Sequence, residues 1–474
     1  MIPSTGKIDR LLVELRPRLQ CANFFISFPR KFADIESTTI ELATDRITIV
    51  MKGERERYEI RTGDYFQLHT QTLSSLVIKN RYICFRVNTN ESVFGSERLC
   101  TGQAMQDSIP DEEPFRLACN IEAGKPYRVL CNNCGGPLIQ STTDQNEPEV
   151  SFNRVLELPS EQLDTDDWFC HRHDHSHDGQ QQGDSGHTHG ESSNTTLSTK
   201  FEPQQHDLFY GTYYALMHRS LLQRVHVRKE RFVYCKRCLQ YLGSTRKNRT
   251  SVKLWYENVR FQLDRSIPLA LFRTDDALEL FHHLVRKTVR EFNFVTHLGL
   301  PPSIKLMFEL RRPGMEGDVF YLLMQIMDCK LSIFRAKQKR TGSGSSESCS
   351  DDVDDDRGKT SAPELDAHHR EGGNDKTAEE DDDDDDDDVF IDSSYRKHTI
   401  KLERHRAMKL MYRYEKYEEQ PLFVFWREDS NVVNLELSEP MFSAAIRYLD
   451  ANSSYVPECY RVNLGFSMSY LDIS

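Results

Sequence analysis

Two short cysteine pairs, Cys131-Asn-Asn-Cys134 and Cys235-Lys-Arg-Cys238, constrain this 474-residue chain more than any other feature. Two intervening residues let both sulfurs of a pair face one ion from a single tight turn. Two such turns supply the four thiolates of a tetrahedral structural zinc site. Gly135, directly after the first pair, suits a positive-φ turn and the close approach of backbone N–H groups to sulfur. The pairs are 100 residues apart, where compact zinc ribbons leave about 15–20. Zinc held by Cys131, Cys134, Cys235 and Cys238 would therefore clasp distant parts of the chain, and four cysteines leave no open position for catalysis. Two alternatives stand beside this reading: unrelated pairs of reduced thiols, or a redox CxxC centre, whose thioredoxin-like βαβ setting is not seen around either pair.

Apolar alternation makes most of the chain β-structure. It recurs in TIELATDRITIVMKG, YEIRTGDYFQL and SLVIKNRYICFRV, with turns at Lys52-Gly53, Thr62-Gly63-Asp64 and Lys79-Asn80. The expected fold is α+β, predominantly β. An N-terminal antiparallel, sandwich-like β domain takes 8–116, and a zinc-clasp region with a His-rich loop at 171–200 takes 117–260. A C-terminal α+β region takes 261–337 and 397–474, interrupted by an acidic insertion at 338–396. Within it, DDALELFHHLVRKTVREFN reads as an amphipathic helix with an acidic start and basic later turns. SIKLMFELRR and DVFYLLMQIMDCKLSIFRA read as a hairpin around PGMEG.

The net charge of −13 comes from one place. Between Thr341 and Ser394 there are 21 acidic and 4 basic residues, including an Asp run at 381–388, and the rest of the chain is close to neutral. Such a stretch cannot bury enough apolar surface to offset its chain entropy and is expected to be disordered. The N-terminus has no apolar run of signal-peptide length, and no segment has the roughly 18 apolar residues of a membrane helix. A soluble protein of the cytoplasm, and also of the nucleus, is expected, with its 12 cysteines as thiols or metal ligands. Phosphate-binding glycine loops, HExxH and GxSxG are absent. KRCLQYLGSTRKNR is basic but short, so direct nucleic-acid binding is not expected.

Trp168-Phe169-Cys170-His171 leads into a run with His173, His175 and His177. Cys170 reads as a small buried residue under anchoring aromatics, as a ligand (itself or through His171) to the protein's own zinc, as a nucleophile, or as a Cys170–His171 pair presented to a partner's metal. The later histidines sit among Gly, Gln, Asp and Ser and read as a solvated insertion.

CNNCGGPLI, RVLELPSEQLDTDDWFCH, GTYYALMHRSLL and VYCKRCLQYLGST follow one another in the chain. This order and wording resemble the HECT-like ubiquitin-protein ligases that bind a ubiquitin-conjugating enzyme. The resemblance is strongest over 8–260. It implies binding of that enzyme, with a contact from about Arg231 to Trp255, and transfer of ubiquitin to proteins including the ligase itself. Some relatives are linked to RNA 3′-end processing. By that resemblance Trp168, Cys170 and His171 would instead be presented to the metal site of a metallo-β-lactamase-type, zinc-dependent endonuclease, by a binding factor without chemistry of its own. A HECT lobe carries ubiquitin on a cysteine. The nearest local match, Leu437-Ser-Glu-Pro-Met441-Phe442, has methionine there, which forms no thioester. Cys459 and Cys170 are the remaining catalytic candidates.

Overall fold

Strands follow the apolar alternation through most of the chain in the computed structural model, which describes residues 8–16, 19–32, 38–90, 117–139, 148–161, 202–246, 249–295, 304–312, 319–337, 394–417 and 420–473. The N-terminal part gives β1 (Arg10–Arg16), β2 (Cys21–Ser27), β3 (Thr38–Leu42), β4 (Arg46–Met51), β5 (Glu56–Arg61), β6 (Ser74–Lys79) and β7 (Tyr82–Asn88). β1, β2, β7 and β6 lie side by side, and β3, β4 and β5 form a second antiparallel set. Val13, Phe24 and Phe85 from the first set and Ile47, Ile49 and Ile60 from the second close one core. This is the sandwich-like packing that the alternation predicted.

The middle of the chain gives β8 (Pro126–Cys131), β9 (Val150–Ser151), β10 (Arg154–Glu157), β11 (Asp207–Tyr210), β12 (Tyr214–His218), β13 (Val225–Arg228), β14 (Phe232–Cys235), β15 (Tyr241–Thr245), β16 (Ser251–Trp255) and β17 (Val259–Leu263). Seven of them pair in the order β10-β11-β12-β16-β15-β14-β13, and β8 lies between β17 and β9. Gly243 of β15 passes so close to β16 that a Cβ there would sit 1.9 Å from the Lys253 carbonyl oxygen. Only glycine allows that approach.

The remainder gives α1 (Ala277–Val295), β18 (Ile304–Arg311), β19 (Val319–Ala336), β20 (Arg396–Ile400), β21 (Leu402–Lys416), α2 (Pro421–Glu428), β22 (Val432–Glu436), α3 (Glu439–Ser453), α4 (Glu458–Arg461), β23 (Val462–Asn463) and β24 (Phe466–Asp472). The expected helix is α1, which buries Leu280, Phe281, Leu284, Val285 and Val289 at helical spacing. The expected hairpin is β18–β19, paired from Ile304↔Ile326 to Arg311↔Val319.

β19 and β21 form a long antiparallel spine that carries both cores. Beyond its pairing with β18, β19 pairs with β1 through Leu12↔Arg335 to Glu14↔Ile333. Register shifts near Asp328 coincide with an exposed Met327 and Lys330, as expected where extra residues bend a strand. N-terminal and C-terminal strands therefore share one sheet, and β20 adds to β5 in parallel. Next to this seam Lys409 donates to Glu14 Oε1 at 2.6 Å, both side chains buried. Arg16 and Asn23 occupy the other positions on that carboxylate. No helix among the described residues is long and apolar enough to cross a membrane.

Candidate metal centre

The two cysteine turns are built alike. β8 ends at Cys131 and β14 at Cys235, so each strand delivers its first sulfur at a fixed place. The chain then doubles back: Gly135 N–H donates to Cys131 O at 2.8 Å, and Leu239 N–H to Cys235 O at 3.0 Å. Cys131 N–H donates to Gly136 O and Cys235 N–H to Gln240 O, both at 2.9 Å. Both turns need a positive φ at the residue after the second cysteine, 64° at Gly135 and 59° at Leu239. Glycine adopts that region freely, whereas leucine is strained there. The glycine was legible in the sequence; the leucine in the matching role was not.

The turns face each other across a small space. Cys131 Sγ lies 3.7 Å from Cys238 Sγ, and Cys134 Sγ lies 3.8 Å from Cys235 Sγ. All four sulfurs fall within 4.8 Å of one another. Four sulfurs about 2.3 Å from a tetrahedral ion stand roughly 3.8 Å apart, whereas a disulfide would bring a pair to about 2.05 Å. The donor set thus fits a divalent ion such as zinc, and the four residues expected to form the clasp are brought together.

The surroundings favour negative charge at one corner first. Burial pushes the Cys131 thiol up to about 12 and raises Cys235. At Cys238 the same burial is outweighed by hydrogen bonds from the Asn133 side chain and the Gln240 backbone, which bring it down to about 6. A bound dication would deprotonate the others.

Each turn is also tied to the body of the protein. Asn132 donates to Asn258 O at 3.0 Å through its backbone and to Glu257 O at 2.8 Å through its side chain. Lys236 N–H donates to Arg224 O at 3.1 Å. Among other contacts, the sheet behind the second turn is hydrogen-bonded to the C-terminal region through Glu436. Tyr213 Oη donates to its carbonyl at 2.7 Å, and Arg231 Nη2 to its carboxylate at 2.9 Å. No sequence signal marked this contact, because it joins residues more than 200 positions apart.

The other candidates separate. Trp168, Cys170 and His171 lie outside the described residues, as do the His-rich loop at 171–200 and the Asp run. Cys459 is exposed on α4 and lies outside the four-cysteine cluster. Met441, in the stretch that locally resembles a HECT cysteine loop, is buried near the N-terminus of α3, so that segment is a packed helix start and not an open loop. Ser438 as N-cap and Pro440 in the first turn signalled this helix in the sequence.

Comparison with curated proteins and with solved structures gave no match. The model of one family, described as HECT-like ubiquitin-conjugating enzyme (E2)-binding, matches residues 14–468, from β1 through the clasp to the last strand. The chain belongs to the HECT-like ubiquitin-conjugating enzyme (E2)-binding family.

Proposed function

We propose that this protein is a cytoplasmic ubiquitin ligase that binds a ubiquitin-charged conjugating enzyme and promotes ubiquitin transfer to proteins, itself included. The observation that carries the reading is the family match, which spans both cores and the clasp between them. The clasp metal is zinc. Closed off by four thiolates, it holds the sheet around Arg231 to Trp255 in shape for the conjugating enzyme and takes no part in the chemistry.

Cys459 is the thiol assigned to the transfer, as the one exposed cysteine among the described residues. Its thiolate attacks the thioester carbonyl of the charged enzyme, the new S–C bond forms, and the enzyme's thiolate leaves. A substrate lysine amine then attacks the new thioester, and the Cys459 thiolate leaves in turn. Nothing among the described residues favours the alternative in which Cys170 and His171 face an endonuclease.

The test is a non-reducing gel of the protein mixed with charged conjugating enzyme, beside Cys459→Ser. A reductant-sensitive ubiquitin adduct missing from the variant supports transfer through Cys459. Faster discharge to lysine without any adduct makes the protein an activator of the conjugating enzyme. Neither adduct nor faster discharge overturns the ligase reading.

A further inference from the structure

The bases of this chain are as unevenly placed as its acids. From His218 to Thr250 there are ten Lys or Arg and one acid, Glu230. The structure gathers part of this charge around an open groove of about 680 Å³ beside the second cysteine turn. His218, Arg219, His226, Lys236 and Arg249 line it, and no carboxylate does. Two of the cations are held in place. Lys236 Nζ donates to Gln223 O at 2.8 Å, and Arg249 meets Glu230 at 2.5 Å on the exposed rim. β13, which supplies His226, is the edge strand of its sheet.

We propose that this groove is the docking site for the chain's own acidic segment between Thr341 and Ser394. The argument rests first on charge. The segment holds 21 acids and 4 bases, whereas Arg219, Lys236 and Arg249 line the groove with two histidines, and Glu230 on the rim is the one acid paired there. Single exposed ion pairs contribute about 1 kcal/mol or less, but a run of carboxylates neutralises several mutually repelling cations at once. It rests next on reach. The aspartates at 381–388 stand 6 to 13 residues before Ser394, and those at 351–356 stand 14 to 19 after Lys337. At about 3.3 Å per residue these tethers extend roughly 20–60 Å, against a radius of gyration near 20 Å for a folded chain of this size. The lining also lacks Phe, Tyr and Trp, the broad rings on which successive nucleic-acid bases stack. The inference does not rest on the ubiquitin reading, although Lys236 and Arg249 belong to the stretch which that reading gives to the conjugating enzyme.

The test measures a labelled peptide of residues 376–392 binding to the full-length protein, with no conjugating enzyme present. Three forms are compared at low salt: wild type, a variant with the aspartates of 351–356 and 381–388 changed to Asn, and that variant with Arg219→Glu and Lys236→Glu added. The Asn variant binds the peptide. Wild type binds at least tenfold more weakly, because its own segment holds the groove. The charge-reversed form loses at least tenfold, with an unchanged melting temperature and metal content. Should reversal unsettle the fold, Arg219→Gln with Lys236→Gln replaces it and still weakens binding. Binding to the Asn variant also falls as salt shortens the screening length. Equal binding by wild type and the Asn variant would overturn the proposal, as would no loss on removing the groove charges. Displacement of the peptide by an oligouridine at lower concentration than by unlabelled peptide would make the groove a nucleic-acid site instead.

Discussion

The sulfurs of Cys134 and Cys235 lie 3.8 Å apart although the residues are 101 positions apart in the chain. Such a contact forms only when β8 and β14 are both in place, so the metal site and the packing of the two strands stand or fall together. Replacing Cys235 with serine should remove the bound metal and lower stability by on the order of 5 kcal/mol, given the affinity of four-ligand zinc sites. Elemental analysis and thermal melting check it. A strong chelator should lower the melting temperature of the wild type and leave the variant unmoved.

Lys409 and Glu14 form the buried ion pair at the seam between the N-terminal and C-terminal strands. Lys409→Met leaves the Glu14 carboxylate buried with Arg16 and the Asn23 amide as its remaining partners and should cost about 3–5 kcal/mol in urea unfolding. Adding Glu14→Gln should recover part of that loss, because the uncompensated charge is gone. A double variant no better than Lys409→Met would show that packing, not charge, sets the cost.

Glu257 titrates far from an ordinary glutamate. Burial pushes its carboxyl from 4.5 up to about 7, against the pull of its own backbone N–H, Ser438 and Arg260. The unfolded chain releases this proton near 4.5 and the folded protein keeps it until about 7, so the folded state binds more protons in that window. Stability should therefore fall by about 3 kcal/mol as pH rises through it, and stay lower above it. Glu257→Gln should flatten this slope. Denaturant melts should show the variant more stable than wild type at pH 8 and about equal to it at pH 4.

Met441→Cys places a thiol at the nearest local match to the HECT cysteine loop, but inside α3 and away from solvent. It should give no ubiquitin adduct and should lower stability by about 1–2 kcal/mol through lost packing. An adduct on the introduced thiol in the non-reducing gel would mean that the start of α3 opens.

Cysteine spacing and apolar alternation lie within a few residues, so the cysteine turns, the helix α1, the hairpin β18–β19 and the predominance of β-structure were legible in the chain. α3 was legible too, through Ser438, Pro440 and the spacing of Met441, Phe442, Ala445 and Leu449. The same stretch also resembles a catalytic loop, which masks its helix signal.

The sequence by itself determined the local chemistry: four thiols in two tight turns, strands by alternation, and charge split between one acidic and one basic stretch. Only the tertiary structure decided which strands meet. A strand's pattern states which face is buried but not its partner, because backbone hydrogen bonding is the same for every neighbour. Hence the pairing of β1 with β19, the Glu14–Lys409 seam, the hold of Tyr213 and Arg231 on Glu436, and the use of Leu239 as the twin of Gly135 emerge only when the chain closes on itself.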